Sequence, residues 1–83
     1  MSSDGRLHRR SSLRAWRRAE AARQAVPPYV IFHDRTLVEI AATRPTGLAA
    51  LSKVGGVGQG KLDRYGEAVL ALVKAAEGLV NGS

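Results

Sequence analysis

Two consecutive prolines, Pro27 and Pro28, constrain this chain more than any other feature of its sequence. A residue before a proline is pushed out of helical geometry, and proline itself brings no amide to a helix or a sheet ladder. Whatever structure precedes residue 27 must therefore stop there. Behind the break, Tyr29-Val30-Ile31-Phe32 has strand composition. It is short and has no second strand-like run to pair with, so it cannot build a sheet. Helices joined by corners remain, and YVIF reads as an extended or 3₁₀ segment that inserts apolar side chains into a helical core.

Periodicity places the helices. From about residue 6 to 25, a turn of about 100° per residue puts Leu13, Ala15, Trp16, Ala19, Ala22 and Val26 on one side. Arg6, Arg10, Arg14, Arg17 and Arg18 fall opposite, as an arginine ridge, and Trp16 is the expected core anchor. Asp34 is the expected N-cap of a helix over about 35 to 43, with Leu37, Ile40 and Ala41 inward. Pro45 stops that helix, and Thr46 is placed to cap a short one, GLAAL, that ends by Val54. Gly55, Gly56, Gly58 and Gly60 supply a tight turn. A last helix over about 59 to 77 repeats Leu62, Tyr65, Val69, Leu72, Val73 and Ala76 at three- and four-residue steps. Gly66 inside it costs about 1 kcal/mol of helix propensity relative to alanine, which implies close approach of another helix. The expected architecture is all-α: one domain over residues 6–77, a bundle of four to five short helices with the first and last longest. Residues 1–5 are expected to be disordered and 78–83 to form a flexible tail.

Charge is concentrated ahead of the prolines. Residues 1–25 hold seven arginines against Asp4 and Glu20, five of the chain's net charge of +6. Arginine offers planar, multi-donor contacts that suit phosphate. A concentrated excess of this kind favours a polyanionic partner, nucleic acid before anionic membrane. No apolar run approaches the roughly 20 residues that span a bilayer, and the N-terminus lacks the apolar stretch of a secretory signal. With no cysteine, the 83 residues hold neither disulfides nor thiolate metal sites, which fits a cytoplasmic protein.

Catalysis finds no support in the residues. His33 beside Asp34 evokes an acid–base pair, but sequence neighbours point apart, and His8 and His33 are the only histidines, too few for a metal site. His33 then reads as a loop residue. Gly55-Gly-Val-Gly-Gln-Gly-Lys61 resembles a phosphate-binding Walker loop, yet Leu62 stands where that motif needs Ser or Thr, and no strand precedes it. No cofactor is expected.

Taken in order, VPPYVIFHDRTLVEIAATRP and TGLAALSKVGGVGQGKLDRYGEAVLALV resemble the HRDC domain, named for the helicase and RNase D C-terminus. The pattern runs from an Arg/Leu-rich first helix through V-P-x-Y-V-I-F and a D-x-T-L step to R-P, then to G-V-G-x-x-K-L-x-x-Y-G. It covers roughly residues 7 to 76. The resemblance implies a small helical bundle that serves as an accessory module of RecQ-type and some UvrD-type DNA helicases, in DNA repair and recombination, or of RNase D-like nucleases. It implies binding of single-stranded or structured DNA to aid substrate selection by an attached ATP-dependent enzyme. Alternatives are a module that docks on a protein partner or on its own helicase core, and an RNA-binding accessory of an exonuclease. Because a helicase motor does not fit in 83 residues, a longer parent protein is expected, with this domain a monomer and no membrane partner.

The residues expected to contact nucleic acid are Arg10, Arg14, Arg17 and Arg18 on the ridge, Tyr29 at the corner, and Lys53, Lys61 and Arg64 around the glycine turn. An aromatic beside an arginine ridge can stack on an unpaired base; in RecQ-like members the resemblance places that role at Tyr29. Its structural alternative is a packed ring. The glycine turn, hydrophobic-Gly-Val-Gly before a helix, suits a phosphate at free helix-terminal amides, or serves as a turn alone.

Overall fold

The computed structural model describes the backbone of residues 2–81 and the side chains of residues 9–76. Five helices follow in order: α1 (Ser2–Gln24), α2 (Pro28–Ile31), α3 (Asp34–Thr43), α4 (Leu48–Leu51) and α5 (Gln59–Asn81). Among the described residues there is no strand. The all-α expectation holds, with the first and last helices longest at 23 residues each. The expectations of a disordered 1–5 and a flexible 78–83 fall on residues whose side chains, or in Met1, Gly82 and Ser83 the whole residue, lie outside the described part.

α1 lies against α5, α3 and α2, and α4 lies on α5. Leu13, Ile31, Phe32, Leu37, Ile40, Leu51 and Val69 are the large side chains fully buried between them. Phe32, rather than Trp16, is the centre. Trp16 is half-buried at the edge, its ring 6.1 Å from Phe32 and 5.5 Å from Tyr65. Gly66 meets the expected neighbour: a Cβ there would stand 2.7 Å from Leu48 of α4.

The end of α1 comes before the prolines. Ala25 turns left-handed at φ 58°, Val26 donates to Ala21 O and Ala25 to Ala22 O. These two bonds form the Schellman closure, usually made with glycine at this position. After it, YVIF is not extended: Pro28–Ile31 is a single helical turn, opened by prolines whose fixed φ suits a first turn. Only half of it enters the core, Ile31 and Phe32, while Tyr29 and Val30 face out.

Two capping expectations are corrected. Asp34 is the first residue of α3, and the N-cap position belongs to His33, which makes no side-chain cap bond. The carboxylate of Asp34 is instead drawn to Arg17. Gly47, not Thr46, precedes α4, again with no side-chain cap.

The orientation of α1 is corrected as well. Its buried stripe contains Arg9, Leu13, Arg17 and Ala21, whereas Ala15, Ala19 and Ala22 are exposed. The helix is thus turned by roughly 100°, one residue, from the expected face. The reason is chemical. Arg9 and Arg17 bury their stems and spend their guanidinium groups on carbonyls: Arg9 Nε donates to Ala41 O at 2.7 Å, Arg17 Nη1 to Phe32 O at 2.9 Å. Ala41 lies in the last turn of α3, where carbonyls have no partner within the helix. Alanine is at home on the solvent side, being the best helix former.

Candidate nucleic-acid interface

The corner between α2 and α3 carries the main candidate surface. Tyr29 is 60 % exposed, which overturns the packed-ring alternative. Its ring lies 6.1 Å from that of His33 at 24°, a stacked arrangement. The pair stands over an open groove of about 890 Å³ whose other walls are Arg17, Asp34, Arg35, Thr36 and Glu39, with Gly55 and Gly56 of the glycine turn. The turn is fixed there by Thr36, a buried residue whose Oγ1 donates to Gly55 O at 3.0 Å. Gly56 has φ +91°, a conformation that side chains rarely adopt, and a Cβ would overlap Thr36 Oγ1. The glycine turn and the tyrosine corner therefore share one surface.

Of the five ridge arginines, Arg6 has its side chain outside the described residues, Arg14 and Arg18 are exposed and Arg10 is half-buried. Arg10 and Arg14 line a small cleft with Asp34, Leu37 and Val38. Asp34 borders this cleft and the large groove at once. Arg17 does not stand on an open ridge. It is 7 % exposed, and its Nη2 reaches Asp34 Oδ1 at 2.7 Å. The hydrogen bond and the charge of Arg17, with smaller contributions from Arg14 and Arg10, hold the Asp34 carboxyl below the usual carboxylate range.

The basic residues near the turn separate. Lys61 is consumed by the corner: Nζ donates to Val30 O at 2.9 Å and Ile31 O at 2.7 Å and lies 5.4 Å from the Phe32 ring centre. It caps the open carbonyls of α2, where the sequence suggested a phosphate contact. Arg64 borders a different groove, between α1 and α5, with Trp16, Glu20, Arg23, Gln24 and Tyr65. Lys53 is exposed on the turn after α4. Arg35 and His33 were missed as site residues. No local signal pairs Tyr29 with His33: Phe32 and His33 are extended, so the corner and not helical spacing brings the two rings together.

Among the described residues no helix is long and apolar enough to cross a membrane. Known proteins show the same pattern of residues. The chain is 48 % identical over 62 residues, 75 % of its length, to the ATP-dependent DNA helicase UvrD2 of Mycobacterium tuberculosis strain H37Rv. It is 39 % identical over 75 % of its length to the ATP-dependent DNA helicase RecQ of Haemophilus influenzae, and 38 % over 87 % to ribonuclease D of Gluconacetobacter diazotrophicus. The matched part spans 9 % of UvrD2, 10 % of RecQ and 19 % of ribonuclease D, so it is a minor module of each. The solved structure of D. radiodurans RecQ HRDC domain 3 superposes with a TM-score of 0.81 at 30 % identity, covering 84 % of this chain and 92 % of that one. The HRDC domain pattern matches residues 7–73, and the chain belongs to the HRDC domain family.

Proposed function

We propose that this domain binds single-stranded or structured DNA as an accessory module of an ATP-dependent DNA helicase, and that it performs no chemistry itself. One observation carries the reading: an aromatic ring at 60 % exposure, stacked on His33, in a groove that also holds Arg35 and the glycine turn. A ring so exposed has a face open to a ligand, and every base presents a face for stacking. Arg10, Arg14 and Arg18 lie outward on α1 to meet the backbone. The 48 % identity to a UvrD2 helicase, against 38 % to a ribonuclease D, favours a helicase as the parent. The parent's motor supplies the work on the duplex, and the domain acts as a monomer in the cytoplasm that helps select where the motor engages.

The test is a salt titration of binding to labelled single-strand, fork and duplex oligonucleotides, with a matched RNA single strand beside them. If Arg10, Arg14, Arg18 and Arg35 each neutralise a phosphate, log K falls with log salt at a slope of about −3 for a single strand. Single strand and fork should bind more tightly than blunt duplex, whose bases are not free to stack. Absence of any complex at low salt refutes the reading. Tighter binding to RNA than to DNA would transfer the domain to an exonuclease parent.

A further inference from the structure

Asp34 occupies an unusual place. It is the first residue of α3, a ten-residue helix, and its carboxylate faces Arg17 at 2.7 Å with Arg14 and Arg10 close by. Cation, cation, cation and a helix N-terminus are the elements of an anion site. The anion now in it is the chain's own. Its hold is incomplete. Arg17 uses Nη1 on the Phe32 carbonyl and Nη2 on a single carboxylate oxygen, while its Nε, though buried, has no partner. Nε and Nη2 form one edge of a guanidinium, the edge that receives two oxygens of a carboxylate or phosphate in a bidentate pair. A side chain 7 % exposed with one donor of that edge unused points to a second oxygen that the carboxylate does not supply. Asp34 itself is mostly solvent-exposed, its side chain at 76 %, so it can swing away without opening the core.

Resting on the nucleic-acid reading above, we propose that Asp34 is an internal competitor for the DNA backbone: it stands in for a phosphodiester in the Arg10–Arg14–Arg17 site, and a phosphate of the bound strand displaces it. The location gives the exchange a consequence. Asp34 borders both the cleft of Arg10 and Arg14 and the groove of Tyr29 and Arg35. While the carboxylate is in place, a negative charge divides the two. Once it is displaced, the arginine face and the stacking ring form one continuous track, with a phosphate seated beside the base on Tyr29. The carboxylate thereby discriminates against weakly held polyanions, which gain the outer arginines but lack a stacked base to offset the exchange.

The test uses Asp34→Asn, with Asp63→Asn, an exposed acid on α5, as the control for loss of one negative charge. Binding of a labelled oligo-dT is measured by anisotropy at several salt concentrations. Asp34→Asn should tighten binding at low salt by about fivefold more than the control, the scale of one unit-charge interaction near 4 Å in water. Its salt slope should match that of the unaltered protein, since the same phosphate is seated in both complexes. A duplex should gain at least as much as the single strand, since it is the ligand the carboxylate disfavours. Equal affinities for Asp34→Asn and Asp63→Asn overturn the proposal, provided melting shows both folded. Asp34→Glu, which keeps the charge, should bind like the unaltered protein; tightening in that variant also overturns it. These outcomes differ from failure of the nucleic-acid reading, in which neither the unaltered protein nor Asp34→Asn forms a complex at low salt.

Discussion

Replacing Arg17 with alanine tests whether a charge counted from sequence as a DNA contact holds the fold together. The guanidinium satisfies the carbonyl of Phe32, a residue 1 % exposed, at 2.9 Å. Leaving that carbonyl without a partner costs about 1–3 kcal/mol. The stem contributes further: two methylenes beyond Cβ at ~0.8 kcal/mol each when fully buried, of which roughly half survives relaxation. The contact with Asp34 adds little, because that carboxylate is solvated. Against the loss stands relief of a buried cation whose Nε is unpartnered. The balance is a destabilisation of about 2 kcal/mol, a lowering of Tm by roughly 8–16 °C in a domain of this size. Urea unfolding followed by circular dichroism should show the midpoint fall by about 2 M at a slope near 1 kcal/mol/M. Arg17→Met separates the parts: it keeps most of the packing and loses the donor, and should fall between alanine and the unaltered chain. Arg14→Ala, on the exposed side, should unfold within about 0.5 kcal/mol of the original. If Arg17→Ala unfolds at the same urea concentration as Arg14→Ala, the structural role of Arg17 is refuted.

Other outcomes follow from single contacts. Tyr29→Ala removes an exposed ring, so melting should be unchanged while single-strand affinity falls by at least about fivefold, the lower end of one lost stack; a large drop in Tm would instead make Tyr29 a packing residue. Ala25→Gly relieves a left-handed alanine at φ 58° and should raise stability by up to about 1 kcal/mol in urea unfolding, since only glycine adopts that conformation freely. Asp34 predicts the acid limb of stability. Its carboxyl is held below the ordinary carboxylate range by Arg17, so in acid the unfolded chain binds a proton before the folded one does. The contribution is therefore complete above the unfolded pKa and is lost as pH falls through the lowered one. Because the carboxylate is solvated the effect is small: Asp34→Asn should slightly flatten melting temperature against pH as pH falls below the ordinary carboxylate value; a steeper acid limb in the variant would mean that Arg17 does not stabilise the charged form.

The sequence made the helices legible because their boundaries are local. Prolines at 27, 28 and 45 and the glycine run at 55–60 stop or turn the backbone wherever they occur, and α5 repeats its apolar residues over many turns. What it misplaced depends on contacts across the fold. α1 was turned by one residue because alanine counted as apolar and arginine as polar. Ala15, Ala19 and Ala22 are exposed nonetheless, and Arg9 and Arg17 are buried because Ala41 and Phe32 offer them carbonyls. Asp34 has every local property of an N-cap; only Arg17, 17 positions earlier, draws its carboxylate elsewhere. Tyr29 stood out in the sequence as the residue to test, but its exposure, its stack on His33 and its place beside Gly55 in the groove were set by tertiary structure.

A fold that turns its corners with very short helices has a structural need for cations, and this changes what a basic composition means. The final four carbonyls of any helix lack partners inside it. For a helix of four residues, such as α2, that is nearly the whole helix: Pro28 O receives the Phe32 amide, and the carbonyls after it look elsewhere. Here Lys61 takes the carbonyls of Val30 and Ile31, Arg17 that of Phe32, and Arg9 that of Ala41. Each stabilises a corner by the same chemistry, a cationic donor on an electron-rich oxygen, that would hold a phosphate. Eight basic and aromatic positions chosen from sequence would include seven cations and imply a single-strand salt slope of about −5. Lys61 is committed internally, Arg17 is covered by Asp34, and Arg64 stands on another groove. With those three removed and Arg35 added, Arg10, Arg14, Arg18, Lys53 and Arg35 remain, and a slope of about −3 to −4 is the consistent expectation. A slope as steep as −5 would mean that DNA reaches the cations now holding the corners, and so that the domain remodels its α2–α3 corner when it binds.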